Sequence, residues 1–213
     1  LVASSSWKIT KTFKFPSDVI IGARFSTEGR RIIGLTRNGL LTIDASTGHV
    51  LGRQPLAVIA TSTLSPTVTI APNGDRIAAY SDEWERGEGE LRVINTAAGD
   101  VIRRVRMQLS FGPWLQLGPA GRYVLVGSRD GIVRRVDSES GVVQASFVAN
   151  SDGTPLTITG PGFFTARSGI PPVHIVKGLE VTSIDQVYRS LYNPDLVREA
   201  LAGDPNKEVA RAA

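Results

Sequence analysis

One unit recurs three times in this chain, and that recurrence limits the available folds more than any other feature. The copies are "GRRIIGLTRNGLLTIDASTGHVL" (29–51), "GDRIAAYSDEWERGEGELRVINTAAGDVI" (74–102) and "GRYVLVGSRDGIVRRVDSESGVVQ" (121–144). Each opens on a glycine and reaches a β-branched residue three positions later, as in Gly29 to Ile32, Gly74 to Ile77 and Gly121 to Val124. Each closes on Asp or Asn, three residues and a glycine: Asp44 with Gly48, Asn95 with Gly99, Asp137 with Gly141. The opening glycines are 45 and 47 residues apart. That spacing is close to the roughly 40–45 residues of a four-stranded propeller blade.

The local chemistry agrees. The stretches ending at Gly29, Gly74 and Gly121 are turn sequences in which glycine takes a positive φ. The Asp44, Asn95 and Asp137 side chains can accept backbone N–H bonds from the turn that follows, so these six closing residues read as structural. Asn38-Gly39 and Asp130-Gly131 predict tight two-residue hairpins. The runs between turns, such as "RYVLVGS" and "LLTID", have strand composition. The expected fold is therefore all-β: a WD-like β-propeller with about four blades visible, part of a larger ring, followed by a short helical tail. Residues 1–180 are assigned to blades and 181–213 to the tail. A weaker fourth copy is read in "PLTITG", "GFFTAR" and "PVHIVKG". "WKITKTFKFP" (7–16) alternates like an outer strand whose own blade is otherwise missing, or which closes a four-bladed ring. The start at Leu1 suggests a processed or cut product.

The ending differs. "SIDQVYRSLYNPDLVREALAGDP" (183–205) reads as two capped helices. Ser183 with Gln186 forms a capping-box pattern. Asn193 is a good N-cap, Pro194 suits the first helical position, and Gly203 is placed to stop the second helix. Leu196, Val197, Ala200 and Leu201 would form its apolar face.

Few residues suggest chemistry. The chain has no cysteine, which excludes disulfides, thiolate metal sites and cysteine nucleophiles, and does not settle the compartment. His49 and His174 lack a ligand set. No serine sits in a nucleophile elbow, and "GEGELR" precedes a strand rather than a phosphate-binding helix. No catalytic residue, metal ligand or cofactor site is assigned. The net charge of +4 comes from scattered arginines. The densest run, Arg103 to Arg106, reads as a solvated strand face, so nucleic acid is not an expected partner. No apolar run approaches a membrane span. The insertion holding Asp82, Glu83, Trp84, Glu85 and Arg86 is the candidate partner-binding loop, since exposed Trp and Arg are enriched at binding hot spots. Trp114, at the innermost strand of the third copy, is a second candidate, although packing between adjacent blades is its expected place.

The stretch "VKGLEVTSIDQVYRSLYNPDLVREALAGDP" (176–205) resembles the segment that follows the propeller in bacterial WD-repeat proteins carrying a caspase-like peptidase domain. Its most specific part runs from the tyrosine through "PDLVREALAGDP". The resemblance implies divergent WD-type blades and a peptidase domain, built on histidine and cysteine, that this chain does not contain. It departs from the WD pattern in having Ile43-Asp44, Ile94-Asn95 and Val136-Asp137 where Trp-Asp stands. The expected function is a non-catalytic interaction or scaffolding module. Its partner would be a protein, a neighbouring domain of the same parent chain, or another chain completing the ring. The competing expectation is a propeller hydrolase or lactonase with carboxylates at a channel mouth.

Overall fold

The computed structural model describes residues 2–3, 8–36, 38–55, 67–83, 88–109, 113–149, 155–167, 174–177 and 180–213. Each sequence copy builds an antiparallel meander. The first sheet consists of β3 (Ile20–Phe25), β4 (Arg31–Thr36), β5 (Gly39–Asp44) and β6 (Val50–Pro55), after a short pair formed by β1 (Val2–Ala3) and β2 (Lys8–Ile9). The second consists of β7 (Thr67–Ile70), β8 (Arg76–Glu83), β9 (Glu88–Asn95) and β10 (Val101–Met107). The third begins with β11 (Trp114–Leu117), β12 (Tyr123–Gly127), β13 (Ile132–Asp137) and β14 (Val143–Ala149).

The sheets stack in chain order. Leu35 and Leu40 of the first sheet form a core with Ile70, Ile77 and Ile94 of the second. The second sheet's other face, with Tyr80, Leu91 and Val93, forms a core with Leu115, Leu117, Val124 and Val126 of the third. The period-2 alternation of side chains explains why each copy needs two apolar sets, one per face. Inner strands meet inner strands: β3 lies against β7, and β7 against β11.

The repeating turns form as their sequences require. Asp44 Oδ1 accepts from the Ser46 and Thr47 N–H groups, both at 2.8 Å. Asn95 Oδ1 accepts from Ala97 N–H at 2.8 Å and Ala98 N–H at 3.2 Å. Asp137 Oδ1 accepts from Glu139 N–H at 3.1 Å and Ser140 N–H at 2.7 Å. Gly48, Gly99 and Gly141 close these turns at φ 78°, 76° and 75°, and each N–H donates to the Asx carbonyl. That backbone region suits glycine.

Three expectations are corrected. The fourth copy does not form its own sheet: β15 (Pro155–Thr159) pairs with β14, and β16 (Phe164–Ala166) pairs with β15, so the third sheet has six strands. Ala149 pairs with Pro155, so β15 lies along the free edge of β14, which an antiparallel strand satisfies at once. The third piece, β17 (His174–Lys177), instead pairs with β18 (Glu180–Ser183). Secondly, the hairpin loops are offset from their sequence signals. Thr36 pairs with Gly39, which therefore starts β5 at φ 147°. Ser128 N–H donates to Ile132 O, enclosing Arg129-Asp130-Gly131. Thirdly, Ser183 makes no side-chain cap to α1 (Ile184–Leu191). It is the last residue of β18, and its pairing with His174 fixes its direction.

The tail otherwise folds as its sequence suggests. Asn193 caps α2 (Pro194–Ala202) through Leu196 N–H, and Gly203 ends it at φ 96°. A short α3 (Glu208–Ala212) follows. α2 contacts β14, β15 and β16. Val197, Ala200 and Val209 are buried with Phe163. Tyr188 and Tyr192 stack at 4.7 Å, and both meet the Phe164 ring edge-on at 5.5 and 5.7 Å. Tyr192 also bridges to Phe164 along the backbone, and Asn193 N–H donates to Phe164 O, closing the exposed edge of β16.

Two outcomes are expected. Phe164→Ala removes the 1 % exposed ring at the centre of this contact and costs about 3–5 kcal/mol in chemical denaturation. Acid also weakens the turns. Burial raises the Asp130 carboxyl, but bonds from Arg134, Ser128 and Ile132 N–H outweigh it and hold it at about 2. Burial likewise opposes, and the Ser140 and Glu139 bonds overcome it, to lower Asp137. Because the folded values lie below the unfolded ones, this stabilisation is complete above about pH 4 and is lost as pH falls towards 2. A urea midpoint measured against pH should fall across that window. Asp137→Asn, with the side chain Asn95 already uses, should flatten the fall, whereas Asp137→Ala loses about 1 kcal/mol at neutral pH.

Candidate interaction surface

The stack has two unlike ends. At one, the opening and closing turns lie together, tied by Ala45, Thr96 and Ser138 N–H groups donating to Arg30, Asp75 and Arg122 carbonyls. The other end carries the last pairs of the β4–β5, β8–β9 and β12–β13 hairpins. Trp114 starts β11 at this second end, opposite Gly127 and beside the Ser128–Gly131 turn. Glu83 and Glu88, the last described pair of the β8–β9 hairpin, lie at the same end. Asp82 and Glu83 thus extend β8. Trp84, Glu85 and Arg86 lie outside the described residues.

Trp114 is 53 % exposed and does not fill a gap between sheets. The pairing explains why. Leu115, next in the strand, points to the second sheet, so Trp114 points the other way. It shares that far face with its cross-strand neighbours Gly127, Val133 and Phe147. The equivalent faces of the earlier sheets are covered by the sheet that follows: Leu35 and Leu40 in the first, Tyr80 and Leu91 in the second. On the third, Leu125, Val133 and Phe147 are only partly buried. Arg135 lies 3.9 Å over the Tyr123 ring on this face, and its Nε donates to Gln144 Oε1 at 2.8 Å. Farther out, Ala145 and Thr159 of the same face are buried on strands that α2 contacts. The open part is therefore an aromatic and apolar inner half carrying one stacked guanidinium, a composition enriched in binding hot spots.

Several charged groups nearby are paired. Arg134 bonds Asp130 at 2.8 Å. Glu90 accepts from Arg92 at 2.5 Å and Arg104 at 3.0 Å. Burial raises the Glu90 carboxyl, and the two arginines more than compensate, lowering it. Arg104 and Arg106 are exposed while Val105 packs inward, as the alternation of β10 predicts; Arg103 shares the Val105 face and is exposed at its margin. His49 is exposed in its turn; the His174 side chain lies outside the described residues.

Asp44 and Asp137 are structural acceptors. The Ser46 hydroxyl and the Thr47 N–H and hydroxyl hold Asp44 well below the usual carboxylate range. No group of three His, Cys, Asp or Glu side chains is placed to hold a metal among the described residues. A cleft of about 240 Å³ opens between the first two sheets, lined by Ile33, Leu40, Thr42, Gly52, Arg53, Gln54, Gly74 and Thr96. The Gln54 amide already donates to Thr96 O and to Ala97 O. This cleft is smaller than a typical ligand pocket. No described helix is long and apolar enough to cross a membrane.

Sequence reasoning singled out Trp114 but missed the face around it. The available signal was positional: Leu125 and Val133 occupy, counted from the repeat's glycine and Asx, the places of Ala78 and Leu91. No protein-family model matches the sequence, and no curated protein matches it.

Trp114→Ala should change the unfolding free energy measured in urea by less than about 1 kcal/mol, because much of the ring is already in solvent. The equivalent truncation of Tyr80, 2 % exposed, should cost about 3 kcal/mol or more.

Proposed function

We propose that the chain is a non-catalytic interaction module: a set of propeller-type repeats that orders a protein partner or a neighbouring domain of its own parent chain. The observation that carries this is the far face of the third sheet. Its inner half exposes Trp114 and leaves Val133 only partly buried, at the position where the first two sheets bury Leu40 and Leu91 against a neighbour, with Leu125 and Phe147 partly buried beside it. The resemblance of residues 176–205 to a post-propeller linker adds a context, a bacterial protein with a caspase-like peptidase domain. In that context the tail docks on the last sheet and leads onward. The Asp44 and Asp137 carboxylates support this reading over a hydrolase, because both accept several turn hydrogen bonds.

The test is hydrogen exchange on the chain alone and with the caspase-like domain of its parent protein supplied in trans. The expected result is protection of the β11–β12 hairpin, with Trp114→Ala weakening the association at least 10-fold. Protection confined to the tight-turn end, or turnover of lactones or glycosides by the chain alone, overturns the reading.

A further inference from the structure

The three sheets present equivalent rows of side chains towards the preceding sheet. Cross-strand pairing gives Phe25, Ile32, Ile43 in the first, Ile70, Ile77, Ile94 in the second and Leu117, Val124, Val136 in the third. Exposure along the second row is 3, 0 and 0 %, and along the third 1, 0 and 0 %. In the first row Ile43 is also buried, at 1 %, but Phe25 on the inner strand is 48 % exposed. The first sheet is thus covered over its outer strands and open over its inner ones.

The cover on the outer side has a recognisable form. In the two sheet junctions, the outer strand of one sheet donates a side-chain hydrogen bond to the second carbonyl after the next sheet's turn Asx. Gln54 donates to Ala97 O at 3.0 Å, and Arg103 to Glu139 O at 2.7 Å. At the first sheet the equivalent carbonyl is Ser46 O, and Lys11 Nζ donates to it. The turn glycine is matched as well. A Cβ on Gly141 would meet Val105 and Arg103 of β10, and one on Gly48 would meet the Phe13 ring. Residues 8–13 therefore make, against the first sheet, the contacts of an outer strand. β1 pairs with β2 antiparallel, as a third strand pairs with a fourth.

We propose that β1, β2 and residues 10–15 belong to the outer half of a further repeat sheet, and that the inner face of the first sheet around Phe25 is a docking site for that sheet's inner strand pair. The occupant is an antiparallel two-stranded segment of a preceding repeat, adding to the free edge of β1 and covering Phe25 and Ala23. A complete sheet from a second copy does not fit, because its outer strand would take the place already held by Lys11 and Phe13. The inference rests on the repeat architecture but not on the binding role of the Trp114 face, which lies at the opposite end of the stack.

The chain has no cysteine, so Phe25→Cys gives a single thiol at a half-exposed site. Its alkylation rate is measured in the 213-residue chain and in the same chain extended at its N-terminus by a copy of its own inner pair, residues 114–127. The expected result is at least a 10-fold slower reaction in the extended chain, at all protein concentrations. Lys11→Ala and Phe13→Ala should each speed exchange of the β5–β6 amides as much as Gln54→Ala speeds exchange at β9. An unchanged alkylation rate, protection that appears in the unextended chain as concentration rises, or no effect of the Lys11 and Phe13 variants each overturns the proposal. Exchange at the Trp114 hairpin reads the functional proposal separately.

Discussion

Each sheet of this protein is held to its neighbour at the same point, the tight turn between its third and fourth strands. The turn's Asx side chain gathers two backbone N–H groups and so points the next carbonyl outwards. That carbonyl receives a side chain from the preceding sheet. The glycine two residues after it adopts a left-handed φ, and at Gly141 its missing Cβ is the space that Val105 and Arg103 occupy. One local motif therefore closes a hairpin, fixes strand register and positions the adjoining sheet. A change there propagates in two directions, because strand alternation ties the register of each sheet to both its apolar faces.

The junctions differ in how completely they satisfy buried polar groups. Thr96 Oγ1 donates to Gly74 O at 2.8 Å in the second sheet. At the matching place in the third, Gly121 O instead accepts from Arg76 at 3.3 Å. The Ser138 hydroxyl is then left, alone among the described buried side-chain atoms, without a hydrogen-bond partner. Arg76 also reaches Glu139 at 2.9 Å. The second junction thus replaces an internal bond with a cross-sheet one, exchanging local satisfaction for attachment between repeats.

Much of this was readable because turn chemistry and strand alternation are local. Asp44, Asn95 and Asp137, with their glycines, do in space what their spacing indicates, and Asn193 and Gly203 bound their helix as expected. What was not readable depended on partners distant in the chain. "PLTITG" has the composition of an inner strand, yet the free edge of β14 captured it. Ser183 has the composition of a cap, yet strand pairing set its backbone. Trp114 reads as core by residue type, but its exposure depends on whether another sheet follows, and composition does not encode that. The face opposite Leu125 and Val133 was accessible only by comparing positions among copies.

The tail closes the structure by covering an edge that the chain makes long before it makes the cover. β16 ends at Ala166, while α2, whose Val197 and Ala200 bury Phe163, begins at Pro194. At roughly 5–20 residues per second of synthesis, β15 and β16 wait a few seconds for these helices. During that interval the third sheet has an unpaired edge and uncovered Phe163 and Phe164. The Tyr192 bridge and the Asn193 N–H bond to Phe164 O end that interval, because they are the contacts that occupy the edge of β16.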